Sequence, residues 1–391
     1  MNYILFDGPF RDSLLPFTYT RPVADIEWGI GSIRDSWQQA LGCALTTITE
    51  TYLSEKYPVV FFELNVFIHA AYFPTSNLVT AIENLSEGEA IYDGDVLVAF
   101  CASEDLEDIN FDLFKSISIL DSLMSIKNTW DLFSKNEAAL CLDFAAITAD
   151  RQSEDIPKTV QVLGASNIFI EAGAQLQFCT LNATTGPIYI GKNAEIMEGS
   201  LVRGPFSLGE GAILKMGAKI YGATSIGAHA KIGGEVNNTI VFSYSNKAHE
   251  GFLGNSVIGS WCNIGADTNT SNLKNSYEMV RLWDYSEEKF SKTGLQFCGL
   301  MMGDHSKCAI NTMFNTGTVV GVAATIFGAG FVKNFVPSFS WGGVQNSSTF
   351  KLEKAIETAK IVMKRKDQTL DDLDEAVLDA VFEQSGKWRK E

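Results

Sequence analysis

The sequence predicts three parts: an α/β domain, a parallel β-helix and a C-terminal helical segment. The strongest observation is a six-residue period in residues 190–237, where eight aliphatic residues recur without a slip: Ile190, Ile196, Val202, Leu208, Leu214, Ile220, Ile226 and Ile232. This period fits neither a helix nor a half-exposed strand. It is typical of hexapeptide repeats, whose short strands stack in coils about 4.8 Å apart. Strands alternating with helices before this stretch predict the α/β domain.

Residues 1–155 are predicted to form the α/β domain. A buried strand at 3–6 runs into the turn Asp7-Gly8-Pro9, and a helix follows the N-cap Ser32. The remaining elements are predicted from apolar runs and helical spacing: strands within 58–68 and 96–100, and helices within 77–86 and 121–135.

Residues 156–345 are predicted to form the β-helix. Residues 151–187 contain its early, irregular coils. After residue 237 the register resumes at eight later positions: Ile258, Ile264, Met302, Cys308, Phe314, Val320, Ile326 and Val332, with Phe252 as the first inward residue after the break. Residues 238–251 and roughly 270–300 are predicted to be insertions that loop outward. Loops on a rigid scaffold often carry functional sites.

Residues 346–391 are predicted to form a helical tail. Apolar residues follow helical spacing from Leu352 to Met363 and again within 371–382. We expect these helices to cover the end of the β-helix or a neighbouring subunit.

Composition excludes several classes of protein. The 391-residue chain has a net charge of −17, which argues against a nucleic-acid partner. No apolar stretch approaches the length of a membrane span, and the N-terminus lacks the pattern of a signal peptide. The seven cysteines include no C-x-x-C pair, so we expect reduced thiols in a cytoplasmic protein.

His249 is the best candidate for chemistry. It is one of four histidines, and it lies in the predicted insertion 238–251. Histidine accepts a proton near neutral pH, as a base must when an amine or hydroxyl attacks a thioester. The alternative is that His249 only ties the loop down. A zinc site would need at least three ligands on adjacent faces, and the four histidines have no suitable spacing.

The N-terminal turn suggests a weaker candidate site for a nucleotide. Gly8 precedes Arg11 and Arg21, which could neutralise phosphates, although neither G-x-x-x-x-G-K-[ST] nor G-x-G-x-x-G is present. Arginine serves equally well in ion pairs, so both alternatives stay open for the two arginines.

Several motifs together resemble a known family. They are the run Leu14–Asp25, the segment Met302–Lys307, and Ser-Asn-Lys-Ala-His-Glu-Gly-Phe-Leu-Gly-Asn beginning at Ser245. The last resembles the acetyltransferase site of bifunctional N-acetylglucosamine-1-phosphate uridyltransferase/glucosamine-1-phosphate N-acetyltransferases. Nearly the whole chain is similar to the divergent form of this family from Bacteroidetes-type bacteria, most specifically in residues 188–343.

The resemblance implies a left-handed β-helix and a set of site residues. His249 would deprotonate the sugar amine for attack on acetyl-CoA. The acceptor and acetyl group would be held by Lys215, Lys247, Phe252, Asn263 and Asn272, with Phe252 replacing the family's tyrosine. CoA would lie along the coils near Gly328 and Ala329. The family's second phosphate-binding lysine is replaced by Gly233, which leaves the identity of the acceptor open.

For the N-terminal domain, the resemblance implies a nucleotidyltransferase-like fold using a nucleoside triphosphate, a sugar 1-phosphate and Mg²⁺. Gly8, Arg11 and Arg21 would bind the nucleotide, and Asp7 or Asp95 would bind the metal, although turn formation explains both aspartates equally well. The family is usually trimeric, with the acetyltransferase site between subunits.

The expected function is therefore acetyl transfer to an amino-sugar 1-phosphate, such as glucosamine-1-phosphate, coupled to nucleotidyl transfer from UTP that gives a nucleotide sugar such as UDP-N-acetylglucosamine. Two alternatives stay open. One is an acyltransferase for another sugar with a non-catalytic N-terminal domain, and the other is a scaffold without chemistry.

Overall fold

The computed structural model describes residues 1–103, 110–119, 122–344 and 346–389. It confirms the predicted fold class, an α/β nucleotidyltransferase-like domain followed by a left-handed parallel β-helix and C-terminal helices. Among the described residues, no helix is long and apolar enough to cross a membrane.

The N-terminal domain is built on a six-stranded mixed sheet of order β4-β1-β5-β7-β6-β8, with a small β2–β3 hairpin beside it. Strand β1 is an interior strand, second from one edge of the sheet, and it pairs in parallel with β4 and β5. The turn that follows β1 lies at the carboxyl ends of these three parallel strands. The strands are β1 (Asn2–Phe6), β2 (Glu27–Trp28), β3 (Gly31–Ser32), β4 (Thr46–Ile48), β5 (Asn65–His69), β6 (Glu89–Asp93), β7 (Val96–Ala102) and β8 (Lys115–Ile117).

The described residues of this domain also form α-helices beside the sheet, namely α1 (Ile33–Leu41), α2 (Thr51–Ser54), α3 (Ser76–Glu83), α4 (Thr129–Ser134) and α5 (Asn136–Thr148). Helix α1 begins where predicted, because Ser32 and Asp35 form a reciprocal capping box. Of the predicted helix 121–135, residue 121 lies outside the described residues and the helix begins only at Thr129. Helix α5 was not predicted.

The β-helix has three faces, each a parallel sheet. Sheet 1 is β10-β13-β16-β19-β22-β25-β30-β33-β35, and sheet 2 is β11-β14-β17-β20-β23-β26-β31-β34-β36, extended by the antiparallel β37. Sheet 3 is β9-β12-β15-β18-β21-β24, and β27 pairs with β32 further along the chain. Strands β9 to β12 pair regularly with their neighbours, so the prediction of irregular coils in 151–187 was wrong for these strands.

The strands of the coils up to residue 270 are β9 (Gln161–Leu163), β10 (Ile168–Ile170), β11 (Gln175–Leu176), β12 (Thr180–Asn182), β13 (Ile188–Ile190), β14 (Glu195–Ile196), β15 (Leu201–Arg203), β16 (Phe206–Leu208), β17 (Ile213–Leu214), β18 (Lys219–Tyr221), β19 (Thr224–Ile226), β20 (Lys231–Ile232), β21 (Glu235–Asn237), β22 (Ile240–Val241), β23 (Asn246–Lys247), β24 (Phe252–Gly254), β25 (Val257–Ile258), β26 (Asn263–Ile264) and β27 (Asn269–Thr270).

The hexad residues form the inner core, as the period predicts. Ile190 to Ile232 are buried, and so are Met302, Cys308 and Phe314 after the break. The predicted insertion at 238–251 was wrong, because these residues form β22 and β23 of a normal coil. The six-residue spacing slips here because only residues 233–234 separate β20 from β21. Leu253, rather than Phe252, therefore points inward.

The second predicted insertion is a real excursion between β27 and β30. It contains the antiparallel hairpin β28 (Arg281–Asp284) and β29 (Lys289–Lys292), and the coils then resume as β30 (Leu300–Met302), β31 (Lys307–Cys308), β32 (Met313–Phe314), β33 (Thr318–Val320), β34 (Thr325–Phe327), β35 (Phe335–Val336), β36 (Ser340–Gly343) and β37 (Ser347–Thr349). Trp283 stacks on Phe335 with the ring centroids 4.3 Å apart.

The C-terminal segment forms α6 (Leu352–Lys364) and α7 (Asp372–Gln384), close to the predicted ranges. These helices contact the N-terminal domain as well as the β-helix. Lys56 of that domain forms an ion pair with Asp374 of α7, and Phe382 of α7 packs against Phe339 of the last coils.

The N-terminal domain covers sheet 1 of the β-helix, and the two share one apolar core. Polar contacts also cross this interface. The Asn136 amide donates to Ala223 O at 3.1 Å, and Ser225 donates to Gly29 O at 2.6 Å. Side chains on the outer side of sheet 1, such as Met301 and Val319, are consequently buried. Sheets 2 and 3 keep exposed outer residues.

Candidate functional site

His249 lies in the four-residue corner 248–251, between β23 of sheet 2 and β24 of sheet 3; we call this segment the site corner. The imidazole is exposed. Its location is a regular corner of the β-helix rather than an outward loop, so its backbone is fixed by the coils on either side. The Glu250 carbonyl accepts a hydrogen bond from Asp267 N at 3.0 Å in the next coil.

Lys247, predicted to hold the acceptor, points into the β-helix instead. Its side chain is buried, and the ammonium donates to Gly233 O at 2.9 Å and to His249 O at 2.7 Å. Burial lowers the pKa of Lys247 to about 8, opposed by the nearby charge of Glu250. This placement contradicts direct binding of an acceptor, because the ammonium faces the inside of the coil.

Phe252 and Asn272 meet beside the site corner. A Cβ placed on Gly254 would lie 2.5 Å from the Phe252 ring and 2.8 Å from the Asn272 amide nitrogen, so this glycine lets the two side chains approach each other. The Asn272 amide donates to Asn255 Oδ1 at 2.8 Å. The structure therefore brings together Phe252, in the coil that contains His249, and Asn272, in the next coil.

Asn263 lies one coil beyond His249, on the outer side of sheet 2. It is exposed, and its Oδ1 accepts a hydrogen bond from Asn246 Nδ2 at 2.8 Å. The pair forms a short asparagine ladder between β23 and β26. Asn263 is therefore placed to donate its own amide hydrogens to a ligand.

Lys215 lies two coils before His249 along the same edge and is half-buried. Gly233, between them, has no room for a side chain, because a Cβ there would lie 2.3 Å from Ala248 O. The short corner 233–234 thus explains why this chain has glycine at position 233, where the family has a lysine. Of the two positions at which the family binds the sugar phosphate, only Lys215 therefore carries a cation in this chain.

Gly328 and Ala329 lie in an exposed bend after β34. The corner that contains them is on the same edge as the site corner, three coils further along the register β23-β26-β31-β34. At about 4.8 Å per coil, the separation along the axis is roughly 14 Å. An extended carrier running along this edge would pass both.

Asp7, predicted as a metal ligand, is occupied by protein partners. Its carboxylate accepts hydrogen bonds from Val23 N at 2.7 Å and from Thr49 Oγ1 at 2.6 Å, and Arg11 Nε lies 3.4 Å away. Burial raises the pKa of Asp7 to about 6, although these hydrogen bonds and Arg11 act in the opposite direction. Asp7 thus anchors the turn, which was the alternative explanation from the sequence.

Arg11 is also engaged within the domain. One guanidinium nitrogen donates to Thr18 O at 2.8 Å and to Tyr52 Oη at 2.7 Å, and the side chain is buried. Arg11 still borders a cavity of about 360 Å³ at the carboxyl edge of β1, together with Asp7, Gly8, Asp12 and Glu50. The charged groups around this cavity are mostly acidic, so a triphosphate would meet repulsion there.

Arg21 lies in the interface between the N-terminal domain and the β-helix. Its guanidinium forms an ion pair with Asp304, which also accepts from Thr20 Oγ1 at 2.7 Å and from Ser260 N at 2.9 Å. Both charged residues are buried. The structure therefore favours the ion-pair alternative for Arg21 over phosphate binding.

Gly8 is required by a close approach. Its φ is +64°, and a Cβ there would lie 2.1 Å from His69 Nε2. His69 is fully buried between Phe6 and Phe10, and this burial lowers its pKa to about 4. Packing of the histidine ring explains the glycine without a ligand.

The predicted metal set does not form a site. Asp7 is saturated as described, and Asp95 is exposed in the turn between β6 and β7. Across the described part of the chain, no group of three or more His, Cys, Asp or Glu side chains is placed to hold a metal ion. A Mg²⁺ ion that arrives on substrate phosphates needs few protein ligands, and these two aspartates do not supply them together.

The sequence missed two acidic residues with distant partners, Glu27 at the interface and Asp143 within the N-terminal domain. Glu27 accepts from Ser243 N at 2.8 Å across the two domains, and Asp143 holds Ile30 N and Ser36 Oγ at 2.9 Å each. Burial raises the pKa of Asp143 to about 7, with these hydrogen bonds lowering it. Nothing local in the sequence marks these residues, since their partners lie more than a hundred positions away.

The fold and the site define a protein that joins a nucleotidyltransferase-like α/β domain to a hexapeptide β-helix with an exposed histidine on one edge. Residues 3–152 match the family described as sugar nucleotidyl transferase, so this part of the chain is similar to that family. The Bifunctional protein GlmU of Methanocaldococcus jannaschii is 33% identical over 87 residues, which are 22% of this chain and 21% of that protein. The chain thus spans about a fifth of the length of this curated relative. These two matches support the resemblance to bifunctional sugar nucleotidyltransferase/acetyltransferases that was inferred from the sequence.

Solved structures of β-helical acyltransferases are also similar. UDP-N-acetylglucosamine acyltransferase from Arabidopsis is 18% identical, with 55% of this chain and 80% of that chain covered and a TM-score of 0.23. A mutant perosamine N-acetyltransferase from Caulobacter crescentus, bound to CoA and GDP-perosamine, is 12% identical, with 69% and 89% covered and a TM-score of 0.19. At these identities and TM-scores the similarities carry no information on the activity of this chain.

Proposed function

We propose that the protein transfers an acetyl group from acetyl-CoA to the amine of an amino-sugar 1-phosphate, such as glucosamine-1-phosphate, with His249 as the base. The observation that carries this proposal is the exposed imidazole of His249 on a rigid corner, with Phe252, Asn263 and Asn272 on the same and the next coil. Histidine is suited to accept a proton at neutral pH, and asparagine amides suit sugar hydroxyls and a carbonyl oxygen.

In this mechanism His249 accepts the proton that leaves the attacking amine. The amine nitrogen bonds to the acetyl carbon, the carbon–sulfur bond breaks, and CoA leaves as the thiol after taking up a proton. The amides of Asn263 and Asn272 would donate to the acceptor and to the acetyl oxygen, where negative charge develops. Lys215 would pair with the sugar phosphate.

CoA is proposed to lie along the edge between sheets 2 and 3. Gly328 and Ala329 lie in a bend on this edge, roughly 14 Å from His249 by the spacing of three coils. Both are exposed, so a carrier can approach the backbone closely. The thioester end would then reach the site corner.

The N-terminal domain is proposed to catalyse the second reaction, nucleotidyl transfer from UTP to the sugar 1-phosphate, giving a nucleotide sugar such as UDP-N-acetylglucosamine. The family match of residues 3–152 supports this assignment. Bound Mg²⁺ would neutralise phosphate charge; because Asp7 and Asp95 do not fit it together, no step is assigned to these residues.

A second candidate function is an acyltransferase on another sugar with a non-catalytic N-terminal domain. The state of the two predicted phosphate-binding arginines favours it: Arg21 is paired with Asp304, and Arg11 is bonded within the turn. Neither guanidinium is free to neutralise a triphosphate without breaking a buried contact.

A coupled assay tests both candidates. Purified protein is given glucosamine-1-phosphate, acetyl-CoA, UTP and Mg²⁺, and free thiol and pyrophosphate are followed separately. We expect His249→Ala to lower thiol release on the order of 10²–10⁴-fold and to leave pyrophosphate release unchanged. The variant His229→Ala, which replaces a half-buried histidine in a regular hexad, serves as the control.

The outcomes separate the functions. Thiol release without pyrophosphate supports the second candidate. Thiol release that survives in His249→Ala contradicts the role of His249, and absence of both products contradicts this substrate assignment and leaves a binding scaffold or another acceptor.

We also propose that the chain assembles as a homotrimer. Large apolar side chains are exposed on sheet 3 and near the end of the coils, among them Leu201, Ile310 and Phe331 at 52%, 67% and 59%. A second copy would cover such residues. Light scattering should give three times the chain mass of 42.8 kDa, and a monomer mass would contradict the proposal.

A further inference from the structure

Lys247 occupies a position that is otherwise aliphatic. In sheet 2 its register neighbours are Ile232 in β20 and Ile264 in β26, both of which point into the core. The Lys247 side chain is only 3% exposed. A buried ammonium costs several kcal/mol unless its hydrogen bonds are supplied by the protein. An unbranched apolar residue such as methionine would fill the same space without this cost.

The hydrogen bonds that Lys247 makes are directed at the site corner. Its ammonium donates to Gly233 O at 2.9 Å, below this corner, and to the carbonyl of His249 itself at 2.7 Å. No side chain of a substrate-facing residue is involved. What lysine adds at this position is therefore a fixed orientation of the His249 peptide.

The backbone around the site corner is packed tightly on both sides. Below it, a Cβ on Gly234 would lie 2.9 Å from His249 O and from Glu250 Cα. Above it, a Cβ on Gly251 would lie 2.1 Å from Thr268 O. Glycines let three coils approach at this point, and the Lys247 ammonium joins the corner to the coil below from inside.

We propose that Lys247 is a positioning residue for His249: by binding the His249 carbonyl from inside the β-helix, it orients the imidazole toward the acceptor amine. The inference rests on the function proposed above and replaces acceptor binding as the role of Lys247. Misplacement of a catalytic base by about 1 Å can cost on the order of 100-fold in rate. The loss should appear in kcat, since the Lys247 side chain is buried inside the β-helix, away from the outer surface where substrate would bind.

The test compares Lys247→Met with Lys307→Met. Lys307 is a matched control, because its ammonium also donates to the carbonyl of a histidine, His305, at 2.8 Å. Two register steps separate it from Lys247 along sheet 2. We expect Lys247→Met to lower kcat for thiol release about 10–100-fold with KM for both substrates within about twofold, while Lys307→Met keeps kcat within about twofold.

Two outcomes overturn the proposal: an unchanged kcat in Lys247→Met, or a raised KM with an unchanged kcat, which would restore acceptor binding. His249→Ala, measured beside them, distinguishes failure of the proposed function, because only that failure leaves His249→Ala active or the wild type without thiol release.

Crystal structures of the two variants supply a readout that needs no substrate. A turned His249 carbonyl and a displaced ring in Lys247→Met, with an unmoved corner in Lys307→Met, support the proposal. An unmoved His249 in Lys247→Met overturns it even if the acceptor is another sugar.

Discussion

The turn after β1 and the site corner differ in what their charged groups do. In the turn, Asp7 and Arg11 are bonded to each other and to their own domain, and Arg21 is paired with Asp304 across the interface. In the site corner, His249 is exposed, while the Lys247 ammonium beneath it donates to two backbone carbonyls. The difference teaches that a predicted binding residue is informative only when its polar atoms are free to meet a ligand.

The largest expected effect would test the N-terminal side of this comparison. Arg21→Met leaves Asp304 as an unpaired buried carboxylate, so we expect the free energy of unfolding in urea to fall by about 3–5 kcal/mol. The exposed Arg203→Met should change it by less than about 0.5 kcal/mol. Near-normal stability with loss of UTP binding would instead make Arg21 a nucleotide ligand.

A second prediction concerns the charge of Lys247. Burial lowers its pKa to about 8 from 10.5. Between these values the unfolded chain binds more protons than the folded protein, so the Lys247 contribution makes unfolding less favourable as pH rises. The full shift corresponds to about 3 kcal/mol.

Urea unfolding of wild type and Lys247→Met at several pH values isolates this contribution. We expect the stability of wild type to rise relative to the variant between about pH 8 and pH 10.5, the window set by the shift. Parallel pH profiles would show that the ammonium is not buried as described.

The packing beneath His249 gives a third, smaller effect. In Gly233→Ala the new methyl group would lie 2.3 Å from Ala248 O. We expect about 1–3 kcal/mol of destabilisation from overpacking, together with slower thiol release. Gly386→Ala is the control, because the nearest atom to a Cβ there lies 3.5 Å away. Equal losses of stability in both variants would show that the short corner at 233–234 tolerates an added methyl group as well as position 386 does.

The smallest effect is expected at the surface of the site corner. Lys219 and Glu250 form an ion pair at 3.3 Å with side chains 44% and 62% exposed. Because solvent and salt screen such a pair, Lys219→Ala should change the free energy of unfolding by less than about 1 kcal/mol. A larger loss, measured by thermal unfolding, would mean that this pair supports the corner more than Lys247 does.

The sequence could predict the coils because each inward position repeats the same physical requirement. Ile190 to Ile232 all fill one core, so their period survives without knowledge of any partner. The same argument failed at 238–251, since shortening the corner at 233–234 shifts the period while the stacking continues. Because this stretch was predicted to loop outward, the pattern did not show that Lys247, whose acceptor role was implied by the family resemblance, points into the coil.

Pairings between the domains could not be predicted in this way. Arg21 and Asp304 are 283 positions apart, and no local pattern relates them. One signal was present: Leu300-Met301-Met302 is continuously apolar, which is typical of a strand buried on both faces. This pattern predicts that the outer side of sheet 1 is covered, but it does not identify the residues that cover it.

Because the N-terminal domain covers sheet 1, we expect the two domains to depend on each other for stability. Cutting the chain after α5 would bare Met301, Val319 and Phe339 together with the hydrogen-bonding groups that now meet Gly29 and Asn136. Such an apolar surface favours aggregation. Either proposed activity is therefore best assayed in the full chain, because a fragment lacking its neighbour would report on lost packing rather than on chemistry.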